Sequence, residues 1–214
     1  MAIKRSREGE NVGEVKQIRE SVSMPELSMT RLDIALDDNE ISPLDYVLSL
    51  CRSKGFKVGI RPSGSCDTFQ PPTDEQIALY DMDVVTALRD QNIELLRTMH
   101  TSGRSLQCCN RFGESLIHMA CRRGFLDVVS FMVEEADVSL SVRDDYGRTP
   151  MHDACWAPVP NFALMELLLQ KAPEQLFLAD VRGHTPFSYV RKHDWKEWKK
   201  FLSVHESILL PKDN

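Results

Sequence analysis

The chain has 214 residues, with 26 basic and 32 acidic side chains and a net charge of −6 at pH 7. Hydrophobic residues make up 42% and charged residues 27%, the proportions of an ordinary globular protein. The acidic balance argues against a direct nucleic-acid binder, because phosphate backbones are held by clustered Lys and Arg, and neither residues 1–72 nor residues 73–214 form a basic module.

In chain order, residues 1–30 are polar and mixed in charge, with too few large apolar groups to offset ordering, so disorder is expected there. Lys4, Arg5 and Arg7 read as part of a solvated tail, and no apolar stretch behind them makes a secretory signal. Leu27, Met29, Leu32, Ile34 and Leu36 form a mildly apolar stretch. Ser42-Pro43 is an N-cap followed by proline at the first helical position. Leu44, Val47, Leu48 and Cys51 then recur at helical spacing, which predicts a short amphipathic helix near 43–54 ended by Gly55. This helix is expected to pack on the domain C-terminal to it; docking a partner is the alternative. Residues 61–72, rich in Pro, Gly and Ser, read as a linker, so residues 1–72 are taken as an N-terminal arm.

Three segments then align on glycine: Asn110-Arg-Phe-Gly113-Glu-Ser-Leu-Ile-His118-Met-Ala120, Asp144-Asp-Tyr-Gly147-Arg-Thr-Pro-Met-His152-Asp-Ala154 and Asp180-Val-Arg-Gly183-His-Thr-Pro-Phe-Ser188-Tyr-Val190. The glycines are 34 and 36 residues apart, and an apolar helical pattern comes after each segment. Glycine supplies positive φ at a tight turn, Thr-Pro starts a helix, and alanine is small where helices approach. No such unit buries both its faces alone, so stability is a sum over neighbouring interfaces. The irregular last unit carries Lys192, Lys196, Lys199 and Lys200 for a polar face, with Trp195, Trp198 and Phe201 to cover the end of the core. Two extra residues fall at Pro158-Val159-Pro160, a loop position.

The pattern resembles the ankyrin repeat, whose hallmark is Asp-x-x-Gly-x-Thr-Pro-Leu-His-x-Ala; the match is strongest from Asp144 to Ala154, where Met151 replaces the leucine. Ser115-Leu116 replace Thr-Pro in the first segment and Ser188 replaces the histidine in the third. Residues around Ala87 look like a fourth, degenerate repeat. The resemblance implies an all-α solenoid of about four helix-turn-helix repeats with short β-turn projections over 73–203, then a C-terminal tail over 204–214.

Catalysis has candidate groups in His118 with Cys121 and His152 with Cys155, each pair on one helix. A motif without an orienting partner is weak ground, and the resemblance implies that the histidine bonds backbone of the adjacent repeat while the cysteine packs in the core. Zinc at Cys108, Cys109, His118 and Cys121 fits poorly, because adjacent cysteines and a nine-residue gap are not structural-site spacing. The six cysteines, Cys51 and Cys66 included, suggest no disulfide framework and read as reduced thiols of a cytoplasmic or nuclear protein. No apolar run approaches the ~18 residues of a membrane helix. No enzyme activity, cofactor, metal or small-molecule substrate is expected, and the chain is expected to be monomeric on its own.

A scaffold, adaptor or regulatory subunit that binds a protein partner remains. The resemblance implies contacts from the turn tips and the concave face of the first helices. Those positions are Arg111, Phe112 and Glu114, then Asp145, Tyr146 and Arg148, then Val181, Arg182 and His184, with Arg122, Arg123, Trp156 and Ala157 on the helices. Exposed aromatics and arginine are enriched at binding hot spots. Phe112 and Tyr146 could instead pack between turns. The alternative function is a transcriptional or chromatin regulator acting in the nucleus through the same surface.

Overall fold

The computed structural model describes residues 41–66 and 69–210. The polar and mildly apolar stretches before residue 41 lie outside the described residues.

Helix α1 (Pro43–Ser53) and a two-residue strand β1 (Arg61–Pro62) come first, and helices in pairs come after them. Helix α2 (Asp74–Ala78) leads into α3 (Met82–Arg89) and α4 (Ile93–Thr101). Helix α5 (Leu116–Arg123) pairs with α6 (Leu126–Glu134), and α7 (Pro150–Trp156) with α8 (Phe162–Lys171). Strand β2 (Leu178–Ala179) precedes a last unit made of a 3-10 turn (Pro186–Tyr189), α9 (Trp195–Val204) and α10 (Glu206–Leu209).

The first helices of the two central repeats start by one chemistry. The backbone N–H of Ser115 donates to His118 Nδ1 at 3.2 Å, and that of Thr149 to His152 Nδ1 at 3.1 Å. A ring that accepts at Nδ1 carries its proton on Nε2. His118 Nε2 therefore donates to the Arg148 carbonyl at 3.0 Å, and His152 Nε2 to the His184 carbonyl at 3.1 Å. Each histidine thus caps its own helix and ties it to the next turn. Burial pushes the His152 imidazole down to about 4, against the pull of the His184 carbonyl, so the ring is neutral in that role.

In the last unit Ser188 takes over the capping part, accepting from the Thr185 N–H at 3.2 Å, and a hydroxyl on so short a stem reaches no further turn. The Thr185-Pro186 start there yields only a single 3-10 turn. Val190 stands where Ala120 and Ala154 let neighbouring first helices come close, and its backbone is extended at ψ 128°.

Leu88, Ile117, Met132, Met151, Leu164 and Leu168 run through the stack as a continuous buried core. Trp198 closes it, 1% exposed, with its ring edge-on to Phe162, Phe187 and Phe201.

The N-terminal segment does more than lead in. The Ser42 hydroxyl accepts from the Asp45 N–H at 3.1 Å, and Pro43 opens α1. Val47 and Cys51 are fully buried, and α1 lies against α9, α10 and the 3-10 turn, so it covers the last repeat. The described part of the stretch that composition marks as a linker is seated on the repeats instead. Arg61 and Pro62 pair in parallel with Leu178 and Ala179. The Ser63 hydroxyl, buried, donates to the Gly147 carbonyl at 2.7 Å. The chain then reaches Thr73, whose side chain and Gln76 form the capping box that starts α2. This strap runs from the last repeat back to the first.

Candidate turn-tip and concave surface

Asn110, Asp144 and Asp180 each fold a turn by the same side-chain bonding. Asn110 Oδ1 accepts from the N–H of Phe112 (2.9 Å) and Glu114 (3.1 Å). Asp144 Oδ1 accepts from Tyr146 (3.0 Å) and Arg148 (2.8 Å), and Asp180 Oδ1 from Arg182 (2.8 Å) and His184 (2.9 Å). Gly113, Gly147 and Gly183 hold φ of +75°, +77° and +83°. The tips are bonded in series: the Asp145 N–H donates to the Phe112 carbonyl and the Val181 N–H to the Tyr146 carbonyl, both at 2.9 Å. Their spacing is therefore fixed.

On this frame five side chains from three repeats form one ladder of guanidinium and ring. Arg122 of α5 lies 5.7 Å from the Trp156 ring centroid, and Arg148 lies 5.3 Å from the same ring. Arg148 is also 5.1 Å from the Tyr146 ring, and Arg182 is 5.7 Å from it. Trp156 is 42% exposed and Tyr146 49% exposed, so each presents a rigid half-ring to solvent. Cation–π contacts at such sites contribute roughly 0.5–1 kcal/mol each.

Ion pairs hold the ladder from below. Arg122 donates to both oxygens of Asp153 at 3.2 and 3.0 Å and reaches Glu114 at 2.6 Å. Asp153 is fully buried, and burial pushes its carboxyl above the ordinary value despite that partner. Arg148 pairs with Asp144 at 2.5 Å. Tyr189 donates to Asp180 at 2.5 Å, and its ring stands 5.8 Å from Trp156, 5.8 Å from His184 and 5.9 Å from His152. Burial and the Asp180 carboxylate push the Tyr189 phenol up to about 12. Burial pushes Asp180 the other way from its net shift; the Tyr189 hydroxyl and two backbone N–H groups outweigh it and hold the carboxyl low.

Of the residues singled out by sequence, Arg122, Arg148, Tyr146, Trp156 and Arg182 meet in the ladder, and Glu114 braces it. Arg111 covers the half-exposed Phe112 ring at 4.7 Å, a separate pair on the neighbouring tip. Arg123, Asp145, Val181 and His184 are exposed. Ala157 is not available to a partner: it is 5% exposed. Pro158 disfavours helical backbone in the residue before it, and Ala157 is accordingly extended at ψ 142°, ending α7 with its methyl buried. Sequence reasoning misses Asp153 and Tyr189. They share one register position, directly after His152 and Ser188, and that alignment is the signal that could have found both.

The candidate nucleophiles lie in the core. Burial drives the Cys121 and Cys155 thiols well above their ordinary value, and a buried thiol so shifted is a packing group. Among the described residues no cluster of three or more His, Cys, Asp or Glu could hold a metal ion, and no helix is long and apolar enough to cross a membrane.

Residues 84–180 match a family described as ankyrin repeats (3 copies). Over 101 residues the chain is 30% identical to the SMC5-SMC6 complex localization factor protein 1 of Bos taurus and 29% identical to that of Homo sapiens. The match takes in 47% of this chain but only 9% of either relative. The chain is also 25% identical over 122 residues to a putative ankyrin repeat protein, YahD, of Escherichia coli K12, covering 56% of this chain and 60% of that one. Among solved structures, an ankyrin repeat domain from Acinetobacter baumannii AYE superimposes with a TM-score of 0.50 at 24% identity, over 60% of this chain and 66% of the other; the likeness is one of fold.

Proposed function

We propose that this ankyrin-repeat chain is a non-catalytic protein-interaction module, a scaffold, adaptor or regulatory subunit that holds a protein partner on its turn tips and concave face. Ankyrin repeats generally serve protein interaction, and one observation carries the reading to these residues: the Arg122–Trp156–Arg148–Tyr146–Arg182 ladder, half-exposed and braced by buried ion pairs. Aromatics, and arginines already held against rings or carboxylates as here, have little rotamer freedom left to lose on binding, and these residue types dominate interface energies. The partner face includes Arg111, Phe112, Arg123, Asp145 and His184 at its margin.

The relatives named as localization factors of a protein complex favour a second reading, in which the same face acts in the nucleus to place this chain on a larger assembly. Affinity capture separates the readings. Tyr146→Ala and Trp156→Ala together should abolish recovery of the chain's partners while the far-ultraviolet circular dichroism and melting temperature stay near those of the parent. Unchanged recovery by the folded double variant would overturn the assignment of this face. Nuclear proteins among the ladder-dependent partners would select the second reading.

A further inference from the structure

The charge left unspent on this face names the chemistry of the partner. The chain as a whole carries −6, yet its acids here are already consumed. Asp144, Asp153 and Asp180 are buried, and each has its oxygens engaged by Arg148, by Arg122, or by Tyr189 with backbone N–H groups. Glu114 is taken by Arg122. The cations are not consumed in the same way. Arg111, Arg123 and Arg182 are exposed, and among the described residues none of them holds an ion pair. Asp145 is the one exposed acid among the tip positions considered.

Geometry adds a receptacle. A cavity of about 200 Å³ opens between the second and third turns, walled by Tyr146, Arg148, Asp180, Arg182 and Tyr189. Its size suits one side chain. Asp180 contributes a satisfied carboxylate, whereas Arg182 and the remaining edge of Arg148 contribute donors that, among the described residues, no protein acceptor takes up. A carboxylate in that cavity would meet two guanidiniums with one ring beneath them both, while Trp156 offers an adjacent surface for an apolar neighbour.

Resting on the reading above, we propose that the partner presents an acidic segment to this face, with a carboxylate side chain seated between Arg148 and Arg182, further acids on Arg111 and Arg123, and an apolar residue on Trp156. Complementary charge of this kind sets specificity and capture rate more than raw affinity, and it weakens as salt rises.

Selection from a random 12-residue peptide library by the full chain tests this. The expected outcome is enrichment of peptides carrying several Asp or Glu beside a large apolar residue. Their affinity should fall with salt, and by about tenfold in the Arg111→Ala, Arg182→Ala double variant. Enriched peptides that are neutral or basic, yet lose binding in Trp156→Ala, would overturn the acidic partner and leave the interaction face standing. Peptides indifferent to Trp156→Ala and Tyr146→Ala would overturn both. A single-stranded 20-nucleotide DNA that binds as tightly as the best peptide, and loses as much in the arginine variant, would also overturn it, since the face would then be reading phosphate.

Discussion

Replacing Arg122 with alanine isolates the cost of the buried acid under the ladder. Asp153 has no exposed side-chain surface, and Arg122 donates to both its oxygens at 3.2 and 3.0 Å. Taking away the guanidinium strands a carboxylate in a low-dielectric site, a loss that runs to ~3–5 kcal/mol for a fully buried pair. Arg122 is itself 34% exposed, and the Arg148 charge still acts on Asp153, so the lower end, about 3 kcal/mol, is expected at pH 7. For a domain of this size that is roughly 10 °C in melting temperature. The pH dependence identifies the cause. Burial already holds the Asp153 carboxyl above its usual value, and without Arg122 it rises further. An acid raised in the folded state binds its proton more readily there than in the unfolded chain. Its penalty is absent below the unfolded value and grows as pH rises through the folded one. The gap between variant and parent should therefore narrow on acidification toward pH 5, and adding Asp153→Asn should recover most of it. A variant melting within about 2 °C of the parent, or a gap of the same size at pH 7 and pH 5, would refute the argument.

Other outcomes rest on the capping histidine and on the strap. His152 is 1% exposed and depressed to about 4, so its contribution is complete above ~6.5 and is lost as pH falls toward 4, about 3 kcal/mol in all. His152→Gln, which can cap Thr149 as Gln76 caps Thr73, should flatten that part of a denaturant-measured stability profile; an unaltered slope would count against the burial of a neutral ring. Ser63→Ala should cost about 1 kcal/mol by removing the bond to the Gly147 carbonyl. A Cβ on Gly147 would lie 2.6 Å from Ser63 Oγ, so Gly147→Ala should cost less in the Ser63→Ala background than alone. Strict additivity of the two would mean that the strap is not seated there.

The repeats are legible in the sequence because their chemistry recurs. Gly113, Gly147 and Gly183, the capping histidines and the small alanines recur every 34 to 36 residues, and a solenoid imposes the same demand at each turn. The helix at Pro43 is legible too, since Ser42, Pro43 and Gly55 announce its ends locally. The strap is not. Residues 61–72 look like a linker because they carry few apolar side chains, and their described part is held by backbone pairing at Arg61 and Pro62 and by one hydroxyl at Ser63. Backbone pairing asks for almost no particular side chain and a single hydroxyl makes no pattern, so composition is blind to both. The error at Ala157 has the same origin: repeat register puts the residue on the binding face, and the proline after it, a departure from that register, decides its backbone.

The candidate site obeys a complementary logic. The position just after the capping residue is Met119 in the first of the three aligned segments, Asp153 in the second and Tyr189 in the third. A fold that depends on repetition leaves such a position free, because nothing in the stacking of helices requires a particular side chain there. It is also where the ladder acquires its asymmetry: Asp153 fixes Arg122, which in turn approaches Trp156, and Tyr189 supports Trp156 from the next repeat while locking Asp180. Periodicity therefore finds the residues that build the scaffold and passes over those that make one face of it different from another. The residues that break the period there, Asp153 fully buried and Tyr189 partly so, act from beneath the surface by fixing the side chains that form the proposed face.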